Sequence, residues 1–180
     1  MKSYLFTSER LGFRNWFIED LDILHTEVNN DDDVMEFFPY KPTLDQTKNF
    51  ILRMQQHYER TGFCYFAVDL LESNELIGFI GLSEQSYLEE LGTFVDIGWR
   101  LKKSTWRKGL ATEGAEACLA YASEHLELED IYSVAPEINE NSIAVMEKIG
   151  MKHLKTFDHP KLLGDVRLKT CALYHKNIRN

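Results

Sequence analysis

Trp106-Arg107-Lys108-Gly109-Leu110-Ala111-Thr112-Glu113-Gly114 follows the β-rich run Phe94-Val95-Asp96-Ile97-Gly98-Trp99-Arg100-Leu101 and opens into Ala115-Glu116-Ala117-Cys118-Leu119-Ala120-Tyr121-Ala122. The last of these is a strong helix former. A strand, a basic glycine turn and a helix start together make an anion site. The first amides of a helix have no partner inside it, and the macrodipole adds partial positive charge there. A phosphate or pyrophosphate suits such an end. Gly109 allows the backbone to approach closely, and Arg107 and Lys108 add charge at the rim. Gly109 and Gly114 stand at the P-loop interval, but Ala115-Glu116 replace the lysine and hydroxyl that hold phosphate and magnesium. No G-x-G-x-x-G follows a strand, so a dinucleotide fingerprint is absent too.

Outward from this stretch, strands alternate with helices while local hairpins fill the middle of the chain. Arg10–Trp16 reads as a first strand and Ile18–Asn29 as a helix, with apolar Leu21, Leu24 and Val28 on one side. Thr43 caps a helix over about 44–61, which Gly62 ends. Phe63–Leu71, Glu75–Ser83 and Thr93–Leu101 read as successive strands. The helix from Gly109 runs to about His125. Ile131–Ala135 is a strand, Asn139–Ile149 a helix stopped by Gly150, and Lys152–Phe157 and Val166–His175 close the sheet. The pattern is an α+β fold with a mixed, mostly antiparallel central sheet flanked by helices, not a doubly wound one. With no repeat, low-complexity tract or linker, residues 1–180 are expected to form one domain.

The chain has 180 residues, 44% of them hydrophobic and 27% charged, ordinary values for a globular protein with a substantial core. No apolar run approaches the ~20 residues that span a bilayer, and no signal peptide is visible, so no membrane association and a cytoplasmic location are expected. Cys64, Cys118 and Cys171 lie far apart, form no metal spacing and read as reduced buried thiols. The histidines fall in no metal pattern, and no metal is expected. A net charge of −9 argues against a nucleic-acid partner and favours cationic ligands such as amines.

Four segments in order resemble the GNAT superfamily of acyl-CoA-dependent N-acyltransferases, in its RimJ/RimL-like branch. The glycine loop is similar to that branch's Trp-x-Lys-Gly-x-Ala-Thr-Glu, although the wider family carries Gln or Arg where Trp106 stands. Ser8-Glu9-Arg10-Leu11-x-x-Arg14 resembles its opening strand. Asn139-x-Asn141-Ser142-x-x-Val145-Met146-x-Lys148-Ile149-Gly150-Met151 resembles its second CoA-proximal motif. Phe157-Asp158-His159-Pro160 resembles the closing hairpin of one subgroup, whose members often carry histidine where Cys171 stands. The resemblance covers about residues 7–176.

That resemblance implies a splayed central strand pair and acetyl-CoA as co-substrate, with transfer to a primary amine of a small molecule or a protein N-terminus, and a homodimer. The pantetheine arm is expected along Gly98, Trp99, Arg100 and Leu101. The pyrophosphate is expected on Arg107, Lys108, Gly109, Leu110, Ala111 and Thr112. Ser142 stands where that branch places a hydroxyl beside the departing sulfur; it also reads as a plain serine in a first helical turn. Asn139 either caps the helix or touches the pantetheine arm. Glu84, Asp96 and His159 are the candidate general bases. Their plain alternatives are a solvated strand end, a salt-bridged residue and a turn histidine. Two rivals stand beside this reading: a non-catalytic acyl-CoA-binding regulatory module, and a polyamine- or antibiotic-modifying acetyltransferase.

Overall fold

The computed structural model describes residues 3–179. Its frame is one eight-stranded sheet: β1 (Phe6–Thr7), β2 (Leu11–Arg14), β3 (Tyr65–Leu70), β4 (Glu75–Gln85), β5 (Phe94–Leu101), β6 (Asp130–Pro136), β7 (Lys152–Asp158) and β8 (Thr170–Asn177). The spatial order is β1-β2-β3-β4-β5-β6-β8-β7. Every neighbouring pair is antiparallel except β5 and β6, which run parallel. That parallel pair is short. Only Val95↔Ile131 and Asp96↔Tyr132 are in register. Beyond them β5 continues to Leu101 and β6 to Pro136 without pairing to each other, so the sheet is splayed along its middle. The Ser133 hydroxyl donates to the Ile97 carbonyl at 2.9 Å and is the last tie before the gap.

Helices α1 (Leu21–Ile23), α2 (Leu44–Thr61), α3 (Leu110–His125) and α4 (Glu140–Lys148) cover the sheet. Alternation along the strands assigns the faces. Phe79 on β4 meets Phe50 of α2, with ring centroids 5.1 Å apart, and its cross-strand partner Arg100 shares that face. Ile80, one residue on, points the other way, so close to Gly114 of α3 that a β-carbon there would lie 2.3 Å from its Cδ1. A small residue at Gly114 therefore lets α3 seat on the sheet.

The helix ends obey the capping signals. Thr43 Oγ1 accepts from the Gln46 amide while the Gln46 side chain accepts from the Thr43 amide, a reciprocal capping box. Gly62 ends α2 with φ of 79°. Three expected elements differ. The first strand is shorter, Leu11–Arg14, and is preceded by β1. Residues 18–29 are not one regular helix but a 3₁₀ turn, the single turn α1 and a wide π turn over Leu24–Asn29. The reason is tertiary: the Asn29 side chain donates to Thr47 and accepts from Arg100, and a π turn places it there. The last strand starts at Thr170, not Val166, because the Asp165 carboxylate accepts from the amides of Arg167 and Leu168 and holds a turn instead.

Candidate active site

The glycine loop is held in shape from both sides. The Trp106 indole N–H donates to the Leu101 carbonyl at 2.8 Å, tying the loop to the end of β5. Arg10 donates from Nη1 to the Lys108 carbonyl, and its Nε grips Glu113 Oε2 at 2.7 Å. Ser8 and the Arg10 amide bond the other Glu113 oxygen at 2.6 and 2.8 Å. These bonds hold the Glu113 carboxyl below the usual carboxylate range, although burial pushes the other way. Gly109 sits at φ 76°, ψ 4°, a left-handed conformation natural to glycine, and Arg107 is also left-handed at φ 59°. The amide of Glu113 already bonds back to Gly109, while those from Arg107 to Thr112 donate to nothing among the described residues. An open cradle of N–H groups results at the start of α3.

A cavity of about 540 Å³ opens on the α2 face at the splay. Gly98, Trp99 and Arg100 of β5 line it, as do Ser133–Pro136 of β6, Asn139 and Ser142 at the start of α4, and Phe37, Phe38 and Tyr40 from the segment before α2. Asp96 lies on its wall. The Tyr65 hydroxyl donates to Asp96 Oδ1 at 2.5 Å, and Gln85 lies at 3.5 Å from the same oxygen. Burial pushes the Asp96 carboxyl up to about 7, and these two hydrogen bonds hold it back from rising further. Tyr65 reaches Asp96 from two strands away because its ring crosses Gly98. A β-carbon at Gly98 would stand 3.2 Å from the ring.

Residues 10–152 match the family described as the acetyltransferase (GNAT) domain. The chain belongs to this family. YkkB of Bacillus subtilis (strain 168), itself uncharacterized, is 29% identical over 149 residues, 83% of this chain and 86% of its own. A GNAT-family acetyltransferase structure from Bacillus anthracis is 28% identical with a TM-score of 0.79, over 97% of this chain and 98% of that one. RimL, a ribosomal L7/L12 α-N-protein acetyltransferase solved in complex with coenzyme A, shares the fold at 15% identity, with a TM-score of 0.78 over 98% and 99% of the two chains.

Within this GNAT fold the sequence candidates separate into two groups. Asp96, Gly98, Trp99, Arg100, Asn139 and Ser142 come together around the cavity. Asn139 is the cap of α4, accepting from the Ser142 amide at 3.1 Å, and faces the cavity as well. Leu101 and the loop from Arg107 to Thr112 continue from the end of the same strand. Glu84 is elsewhere: its carboxylate pairs with Arg60 at 2.7 Å and lies against the buried His57, outside the cavity lining. His159 packs on the Tyr87 ring at 4.4 Å, and its Nδ1 accepts from the Lys161 amide. Burial keeps this imidazole below its usual value, and it too lies outside the lining. Trp106, where the family resemblance puts Gln or Arg, ties the loop to the end of β5 through its indole hydrogen bond. Cys171 is a buried thiol pushed up to about 11, against the behaviour of a nucleophile.

Two side chains in the site lie outside the sequence reading. Tyr65 carries no local signal, and finding its bond to Asp96 requires the register of three strands. Arg100 is on the strand expected to meet the pantetheine arm, but its side chain has a separate role. Its side chain lies in the cavity, and the period-two step Asp96, Gly98, Arg100 was the available signal.

Proposed function

We propose that this chain is an acetyl-CoA-dependent N-acetyltransferase acting on a primary amine by direct attack. The observation that carries the reading is the meeting of Asp96, the unpaired edge of β5 and the start of α4 in one cavity, with the amide cradle of the glycine loop just beyond that strand. The coenzyme A bound to RimL supports the same choice of co-substrate.

The pantetheine arm pairs along Gly98–Leu101 like an added strand, and the pyrophosphate rests on the amides of Lys108–Thr112. The acceptor enters from the α2 side. Asp96, with its carboxyl near 7, takes the proton from the acceptor's ammonium group. The freed nitrogen lone pair attacks the thioester carbonyl and the C–S bond breaks. The sulfur leaves as a thiolate at the positive end of α4, where the Ser142 hydroxyl gives it a proton; the second proton of the attacking nitrogen leaves the tetrahedral adduct and returns through water to Ser142. Acetylated amine and free coenzyme A result. Alignment of the two substrates supplies about 7–11 kcal/mol, and proton transfer adds typically about 10²–10⁴-fold. Loss of the cradle is therefore more damaging than loss of Asp96 or Ser142 alone.

The test is release of free coenzyme A, read by a thiol-reactive dye, over peptide N-termini, amino acids, polyamines and aminoglycosides. Release is expected to depend on the amine and to vanish in Gly109→Pro, which forces a negative φ and removes an amide. Isothermal titration with no acetyl-CoA binding at millimolar ligand sinks the reading. Tight binding with no thioester loss for any amine favours the regulatory module instead.

A further inference from the structure

Arg100 is a half-buried cation without a counter-ion. Its Nη1 donates to the neutral Asn29 carbonyl oxygen at 2.7 Å. Its guanidinium lies 4.0 Å above the Phe38 ring and 5.3 Å from the Phe79 ring. Its Nε is buried with no hydrogen-bond partner, and no carboxylate pairs with it among the described residues. A second arginine in the same protein shows what a buried guanidinium normally holds. Arg14 uses its Nε and Nη2 edge to grip Asp69 at 2.8 and 3.0 Å and turns Nη1 to Asp20 at 2.7 Å. In Arg100 that same edge is unused. Burying a charge without a partner is costly, and here burial pulls the guanidinium down to about 10.

The charge around the cavity has the same sense. The chain as a whole carries 29 acidic and 20 basic residues. The charged residues lining the cavity are Arg53, Arg100 and Asp96. Arg53 has no hydrogen-bond or ion-pair partner among the described residues, and Asp96 is already engaged by Tyr65. Asp96 and Arg100 share a face of β5, four residues or roughly 13 Å apart along the strand. Tyr65 bridges the distance: its hydroxyl touches Asp96, and its ring stacks on Phe79, the ring beside Arg100. The cavity floor thus has a proton acceptor at one end and an unpaired cation at the other.

We propose that the acceptor is a primary amine bearing an anionic group several bonds away, the amine at Asp96 and the anion on Arg100, with Arg53 at the mouth. This rests on the N-acetyltransferase reading above. A guanidinium fork matches a planar carboxylate, which is the favoured anion, and a phosphate shares the same chemistry. A polyamine finds two cations and one carboxylate here, against the expectation drawn from net charge.

The experiment uses the full chain with acetyl-CoA and a series of probes: glycine, 4-aminobutyrate and 6-aminohexanoate, each against its amide, with phosphoethanolamine against ethanolamine, and spermidine. The expected result is a kcat/KM ratio of acid to amide of about tenfold or more at the preferred chain length. That ratio falls to about one in Arg100→Gln, through KM more than kcat, and is partly kept in Arg100→Lys. A larger ratio for the phosphate pair than for every carboxylate pair assigns the anion as phosphate. Spermidine or neutral amides turning over as well as the acids overturns the proposal while leaving the transferase intact. A uniform loss over all acceptors in both Arg100 variants also overturns it. No release with any amine removes the N-acetyltransferase reading and this assignment with it.

Discussion

Asp96 sits in an environment that a carboxylate disfavours. Burial has driven its carboxyl up to about 7, so the folded protein holds this proton to higher pH than the unfolded chain does. The stability cost is absent below about pH 4, grows between 4 and 7, and is complete above 7. Asp96→Asn is therefore expected to be more stable than the wild type at pH 8 and equal to it near pH 4. The ceiling is about 4 kcal/mol, reduced by water in the cavity. Denaturant melts at the two pH values check this, and an equal gap at both refutes it. In the acetyl-transfer assay the same variant should lose roughly 10²-fold in kcat together with the ionisation near 7 in its pH profile. Tyr65→Phe removes a hydrogen bond that favours the carboxylate, so its ionisation should move upward from the wild-type position. A downward move would show that Tyr65 does not set the Asp96 proton affinity. In the sequence, a carboxylate in mid-strand at Asp96 reads equally as a general base and as a salt-bridged residue. What separates the two is Tyr65, and the two are joined only after three strands have found their register.

Where local chemistry dictates an element's end, the sequence states it. Thr43 with Gln46, Gly62 and Gly109 each mark a boundary that the structure places at the same residue. Where a distant partner dictates it, the sequence misleads: Asn29 widens its own helix to reach Thr47 and Arg100. The two glycines offer a matched test of the phosphate cradle. Gly62 lies at φ 79°, ψ 3° and Gly109 at φ 76°, ψ 4°. A methyl group meets little at either: Leu126 Cδ2 at 3.6 Å for the first, Arg10 Nη2 at 3.7 Å for the second. Alanine at each should therefore cost a similar ~1 kcal/mol of stability through left-handed strain alone. Only Gly109→Ala should also weaken coenzyme A binding, since its methyl group crowds the N–H cradle. Calorimetric titration of both variants reads the difference. Equal affinities would remove the pyrophosphate from this loop.

Across the whole molecule, the mixed sheet and its hairpins were legible from alternation and turn residues. The insertion of β8 between β6 and β7 was not, because nothing local in those strands names a neighbour. Two segments that carry the family resemblance also meet in one contact: Ser8 and Arg10, in the turn between β1 and β2, hold Glu113 in α3. The splay divides the sheet into β1–β5 and β6–β8, joined by two residue pairs in register, the Ser133 hydrogen bond and the packing of Phe94 on Tyr132. On the proposed reading, a pantetheine arm laid into that gap would add backbone pairing along the edge of β5 that faces away from β4, and its pyrophosphate would tie the arrangement to α3. Binding to the folded state alone stabilises by about 2.7 kcal/mol when free coenzyme A is 100-fold above its Kd. For a chain of this size that corresponds to a rise in Tm of roughly 5–10 °C. Hydrogen exchange locates the effect: new protection is expected at Gly98–Leu101 as well as at the amides of Lys108–Thr112. Protection confined to the loop would mean that the nucleotide end binds while the pantetheine arm stays out of the splay. The direct-attack geometry would then lose its support, since the thioester must lie between Asp96 and Ser142 for the proton and the thiolate to find their partners.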